Sequence, residues 1–235
     1  MNHVRIPDSY NLTTFFMYIT WLGHSCFKIE EKIGNDLITV VTDPYDDSVG
    51  LRLPKTKADI VSVSHGHGDH ANVDAILPAA DRPPVVIDRP GEYEIKGVAA
   101  AGIGSYHDKK QGEDLGKSII FKFEIEGIKL LHLGDIGTTL SDTQLEKIGD
   151  VDVMFVPVGG KFTIDAKDAA EIVRQVEPRI VIPMHYKIDG VKIDLDGVEK
   201  FKKEMGNKFE TLDKLKITRK DLPEETTKLI ILSHG

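Results

Sequence analysis

The sequence predicts a mixed α/β (α+β) domain in which sheets and helices pack as layers. Two observations point there. Residues 15–133 read as short β-branched and aromatic runs separated by Gly, Pro and Asp turns, whereas residues 142–205 alternate apolar strands with amphipathic helices. At 235 residues, 40% apolar and 29% charged, the chain can bury a sizeable core. No linker or tandem repeat divides it, so one domain over residues 1–235 is expected.

Residues 1–13 are mixed and polar and read as an arm before the first strand. Phe15–Trp21 and Cys26–Ile29 read as strands around Leu22-Gly23-His24-Ser25. A turn at Gly34-Asn35-Asp36 leads into Leu37–Val41, which ends at Thr42-Asp43-Pro44, a β-meander. Ile60, Val61 and Val63 mark the end of a buried strand. Ala71–Leu77 then suits a short helix stopped at Pro78. Val85–Asp88 and Tyr93–Ala101 are strand-like around a turn at Arg89-Pro90-Gly91. The polar, glycine-containing loop 109–114 reads as a mobile rim.

Ser118–Ile125 and Ile128–Leu133 form a hairpin about Glu126-Gly127. Ser141-x-x-Gln144 is a capping box, with Leu140 and Leu145 placed as a hydrophobic staple, so a helix runs from Asp142 to about Ile148. Val151–Val158 is an apolar strand meeting Gly159-Gly160. Asp165 caps a helix whose Ala166, Ala169, Ala170, Val173 and Val176 make one stripe, and Pro178 ends it. Arg179–Ile182 is a buried strand. A helix with Leu195, Val198, Phe201 and Met205 follows, and Lys214–Ile217 and Thr227–Leu232 close the chain as strands.

Chemistry concentrates in His65-Gly66-His67-Gly68-Asp69-His70. His65 and His67 leave the same face of an extended backbone, and the glycines let it turn. A polar loop with Asp69 as a helix cap does not call for three histidines. Imidazole and carboxylate together suit an N/O-ligated cation such as zinc.

This H-x-H-x-D-H cluster resembles the signature of the metallo-β-lactamase superfamily, and Trp21-Leu22-Gly23-His24-Ser25-Cys26-Phe27 with Thr42-Asp43-Pro44 resembles its ascorbate-6-phosphate-lactonase-like branch. The resemblance implies a four-layer αββα sandwich. It also implies that His65, His67 and His107 hold one divalent ion and that Asp69, His70 and His185 hold a second. Asp135, at the end of the hairpin, would bridge them together with a hydroxide that attacks a small ester, lactone or phosphoester. Asp69 is then also a candidate to orient the nucleophile, and His24, His132 and Tyr186 are candidates to protonate the leaving group. Asp43 suits either the orientation of a metal-bound imidazole or a turn. His24 reads equally as a turn histidine, and His132 equally as a core hydrogen-bonding group. Zn2+ is the leading cofactor, with Mn2+ or Fe2+ compatible.

Other branches fit less well. The chain is too short for the inserted domain of the β-CASP nucleases, has no flavodoxin-like extension, and ends without the helical domain of glyoxalase II relatives. A metal-dependent binding or regulatory protein, and a phosphodiesterase or nuclease, are the competing functions. The net charge of −8 disfavours a grip on nucleic acid and favours a small-molecule substrate. A lone cysteine, Cys26, and the lack of a signal peptide or of the roughly 20 apolar residues of a membrane span lead us to expect a cytoplasmic location.

Overall fold

The computed structural model describes residues 15–234, so the expected arm over residues 1–13 lies outside the described residues. β1 (Met17–Gly23), β2 (Cys26–Ile33) and β3 (Asp36–Thr42) form the antiparallel meander. Their side chains alternate between two cores. Ile19, Trp21, Phe27, Ile29, Ile38 and Val40 face inwards to the main core, while Leu22, Cys26 and Val41 face outwards to a smaller one.

β4 (Thr56–Ala58), β5 (Ile60–Ser62), β6 (Ile76–Pro78) and β7 (Val85–Ile87) follow. β5 and β7 extend the meander sheet in parallel beyond β3, and β4 pairs with β6. The helix expected over residues 71–77 does not form. Only Val73–Ala75 makes a 3-10 turn, Asn72 gives it no side-chain cap, and pairing with β4 draws Ile76–Pro78 into a strand. So short a segment gains too little from its own helical bonds to resist that pairing.

β8 (Gly91–Ile95) and β9 (Val98–Tyr106) replace the single strand expected over residues 93–101, because Lys96 and Gly97 turn the chain at positive φ of 53° and 82°. β10 (Lys117–Ile125) and β11 (Ile128–His132) form the expected hairpin. α1 (Asp142–Ile148), β12 (Val153–Pro157), α2 (Ala166–Val176) and β13 (Ile180–Met184) then alternate. The Ser141–Gln144 capping box is present, and Asp165 accepts from Lys167 N and Asp168 N. α3 (Glu199–Glu204) is shorter than its apolar stripe suggested, and β14 (Glu210–Leu212), β15 (Leu215–Ile217) and β16 (Lys228–Leu232) complete the chain.

Two sheets face each other. The smaller has the order β15-β1-β2-β3-β5-β7 and the larger β14-β16-β13-β12-β11-β10-β9-β8. The C-terminal segment thus ties the layers together, since β15 pairs with β1 in one sheet while β16 pairs with β13 in the other. α2 and α3 bury Ala166, Ala169, Ala170, Val173 and Phe201 in the main core. Over the smaller sheet the outer layer is built from loops and 3-10 turns carrying Tyr45, Val49 and Leu51, with Ile76 of the β4–β6 pair, instead of α-helices. The two facing sheets of the αββα sandwich are present, and these elements stand in place of one helical layer. Among the described residues no helix is long and apolar enough to cross a membrane.

Candidate metal centre

One edge of the sandwich receives the C-terminal ends of β1, β3, β5, β9, β11 and β13. The first three are mutually parallel in one sheet, and so are the last three in the other. The residues just beyond those ends are His24, Asp43, His65 to His70, His107, Asp135 and His185. Strand ends are held by ladders on both sides, so side chains far apart in sequence can be fixed together.

The backbone is strained to reach this arrangement. His24, Asp43 and His185 adopt positive φ of 53°, 39° and 52°, which non-glycine residues rarely do without compensation. Compensation is visible at His24, whose carbonyl accepts both Trp21 Nε1 (2.9 Å) and His185 N (3.0 Å). Gly159 packs so closely on the same turn that a Cβ there would lie 2.1 Å from His185 O, and one at Gly137 would lie 2.4 Å from His107 O. Both close approaches require glycine.

All seven expected ligands are brought together. His65, His67 and His107 form one group of converging donor atoms, and Asp69, His70 and His185 belong to another. Asp135 Oδ2 lies 3.1 Å from His70 Nε2, 3.1 Å from His185 Nε2 and 3.5 Å from His107 Nε2, and so touches members of both. Two donors bound tetrahedrally at zinc distances stand about 3.3 Å apart, so these spacings suit the edges of a coordination polyhedron. His65 Nε2 and Asp135 Oδ1 are buried with no hydrogen-bond partner, which is costly unless a cation satisfies them. The donor set therefore fits a metal centre.

His24 occupies a place that sequence reasoning did not give it. Its Nε2 lies 3.1 Å from His70 Nε2 and 3.5 Å from Asp69 Oδ2, inside the second donor group and not beside it. The signal available was the Gly23-His24 pair at a strand turn, which does not reveal where the ring points. Asp43 reaches the cluster from behind. Its carboxylate accepts Ser64 N (2.7 Å) and Ser64 Oγ (2.6 Å), and pairs with His70 Nδ1 at 3.0 Å, which leaves His70 Nε2 for a metal.

The other two candidate acids do not reach the opening. His132 is fully buried between the sheets against Phe27 and Phe155. Its Nε2 donates to Ser25 O (2.9 Å) and its Nδ1 accepts Gly134 N. Tyr186 belongs to the main core and stacks on Trp21 at 5.0 Å, with burial pushing its phenol up. Sequence alternation brought both near the site but could not show that the His132 nitrogens are hydrogen-bonded in the core or that the Tyr186 ring is stacked there.

The chain's similarities to known proteins follow this geometry. A model described as "Beta-lactamase superfamily domain" matches residues 18–185. The chain is 32% identical over 197 residues to a UPF0173 metal-dependent hydrolase of Carboxydothermus hydrogenoformans, covering 72% of this chain and 84% of that one. The chain belongs to the metallo-β-lactamase superfamily. Within the superfamily it is also 29% identical over 221 residues to a UPF0173 metal-dependent hydrolase of Thermococcus onnurineus, covering 83% and 94%. A crystal structure from Thermotoga maritima, described as a proposed Zn-dependent hydrolase of the metallo-β-lactamase superfamily, is 37% identical with a TM-score of 0.73, covering 92% and 100%. This metallo-β-lactamase superfamily member is a metal-dependent hydrolase.

Electrostatics of the cluster divide the imidazoles. Burial and the neighbouring His185 push His24 down to about 3, and burial pushes His65 down to about 4. His70 moves the other way. Burial opposes its charge, but Asp135 and Asp43 outweigh that and raise it well above the ordinary value. Asp135 is held far below the ordinary carboxylate range because His185 and His70 overcome the effect of burial.

These shifts give the metal-free protein a stability optimum. Below the ordinary histidine value of 6.5 the unfolded chain takes up protons that folded His24 and His65 refuse, so stability falls with falling pH. The stabilisation from His70 is complete below 6.5 and is lost as pH rises through its raised value. Thermal melts of chelator-treated protein across roughly pH 5 to 9 should therefore peak near 6.5. Stability rising steadily to the alkaline limit would contradict a charged His70. Asp43→Asn should weaken metal binding by about 10- to 100-fold in competition with a chelator, since it removes the charge behind His70.

Proposed function

We propose that the protein is a dinuclear hydrolase of a small ester, lactone or phosphoester. The single observation that carries this reading is Asp135, whose Oδ2 approaches donors of both groups. His65, His67 and His107 would hold one ion, and Asp69, His70, His185 and the adjoining His24 the other. Zinc is the proposed metal on the N/O donor set and on the description of the Thermotoga maritima relative, with manganese or iron compatible. Two such ions would acidify a water and polarise the scissile carbonyl or phosphoryl group.

The chain's own residues supply position and proton handling. Asp43 and Ser64 fix the His70 ring, and Trp21 and His185 fix the His24 turn. Burial raises the Asp69 pKa, but its contacts with His24 and His70 outweigh that and keep the carboxylate charged, able to accept a hydrogen bond from the nucleophile. His24 Nε2, 3.5 Å from Asp69 Oδ2 and among the donors of the second group, is given the role of a ligand in this reading. Among the described residues no lysine or arginine lines the cleft at the cluster, which with the net charge of −8 favours a small-molecule substrate over nucleic acid.

Zinc- or manganese-loaded protein should hydrolyse at least one of a panel of aryl esters, lactones, thioesters and phosphodiesters. The rate should vanish on chelation and in His67→Ala. Metal-replete protein inert on the whole panel would overturn the ester, lactone or phosphoester reading.

A further inference from the structure

The cleft over the cluster has a volume of ≈370 Å³ and is lined on one side by His67, Asp69, Asp135 and His185. Its apolar lining is Leu115, Phe162 and Ile193, which come from three different loops, and Ser48 and His107 complete it. Phe162 is 45% exposed at this cleft.

The Leu115 loop is braced internally, and the Phe162 and Ile193 loops are braced against each other. Asp108 accepts four backbone N–H groups, those of Lys110, Gly112, Asp114 and Leu115, so the loop read from sequence as a mobile rim is closed on a carboxylate. Asp196 N donates to Gly159 O (2.8 Å), and Lys192 N donates to Val49 O (2.8 Å), joining the Ile193 loop to its neighbours on both sides. Lys161 and Asp194 pair at 3.4 Å across the Phe162 and Ile193 loops. The apolar wall is therefore built into the fold.

Several lysines on the same loops pair away from the cleft. Lys109 pairs with Asp168 and Lys110 with Asp114, while Lys187 Nζ donates to Val191 O and Ile193 O. Among the described residues no lysine or arginine lines the cleft, while the carboxylates of Asp69 and Asp135 do.

We propose that the cleft takes a neutral ester or lactone whose hydrocarbon chain lies along Leu115, Phe162 and Ile193, and that it discriminates against a chain ending in an anion. The inference rests on the hydrolytic reading for the word ester, but the wall itself can be tested without turnover.

Straight-chain hydroxamic acids chelate metal through a constant head group, so their binding to zinc-loaded protein, followed by calorimetry, reports the wall alone. Kd should fall about fourfold for each methylene between acetohydroxamate and hexanohydroxamate. Succinic acid monohydroxamate should bind more weakly than butyrohydroxamate. Phe162→Ala and Ile193→Ala, with metal content confirmed, should each flatten the dependence on chain length. A Kd independent of length, an absence of binding, or tighter binding of the succinyl compound would overturn the proposal. If the hydroxamates show the expected trend but no aryl ester from acetate to hexanoate is hydrolysed, the apolar wall stands and the hydrolytic reading fails.

Discussion

Asp69→Asn should lower turnover by at least ~100-fold, the lower end for a positioned proton-transfer group, while the protein keeps most of its metal. Asp69 is the one acidic ligand candidate that is partly open to the cleft, with its side chain 25% exposed. Its Oδ2 stands 3.5 Å from His24 Nε2 and 3.7 Å from His70 Nε2, and these contacts hold it ionised against burial. Asparagine retains a neutral oxygen of similar shape, which can still reach a metal, but it cannot hold the negative charge or accept a proton. Steady-state rates together with elemental analysis of the same sample separate the two effects. Full activity in Asp69→Asn would remove Asp69 from the chemistry and leave it a ligand alone.

Asp135→Ala should have the larger effect on metal. Asp135 is buried, and its Oδ2 is within 3.5 Å of three imidazole nitrogens drawn from both donor groups. Without it two cations would face each other with less negative charge between them, and their repulsion would be poorly offset in a site shielded from water. The affinity for the weaker ion should fall by more than the roughly 10- to 100-fold expected for removing a group behind a ligand. Retention of both ions in Asp135→Ala would show that it does not lie between them.

The elements legible in the sequence were those with local signals. The opening meander carries period-two patterning and a glycine turn, α1 carries a complete capping box, and α2 carries Asp165 and a long apolar stripe. Strands β4, β6 and β14 were not legible, because they lack the β-branched apolar runs of the equally short β5 and β7 and exist only through pairing. In the site, the run from His65 to His70 declared itself by composition. His107, Asp135 and His185 are single residues at separate strand ends, and it took the family resemblance to connect them. The place of the His24 ring depends on a positive-φ turn, and the wall of Leu115, Phe162 and Ile193 depends on three loops meeting. Neither arrangement leaves a mark in nearby sequence.

The claim at the centre is that two donor groups share Asp135 and hold two ions. Metal content after loading with excess zinc and desalting tests it most directly, by elemental analysis against protein concentration. Wild-type protein should carry about two ions per chain, and His67→Ala and His185→Ala about one each, lost from opposite sides of Asp135. One ion or fewer in the fully loaded wild-type protein would contradict the dinuclear centre.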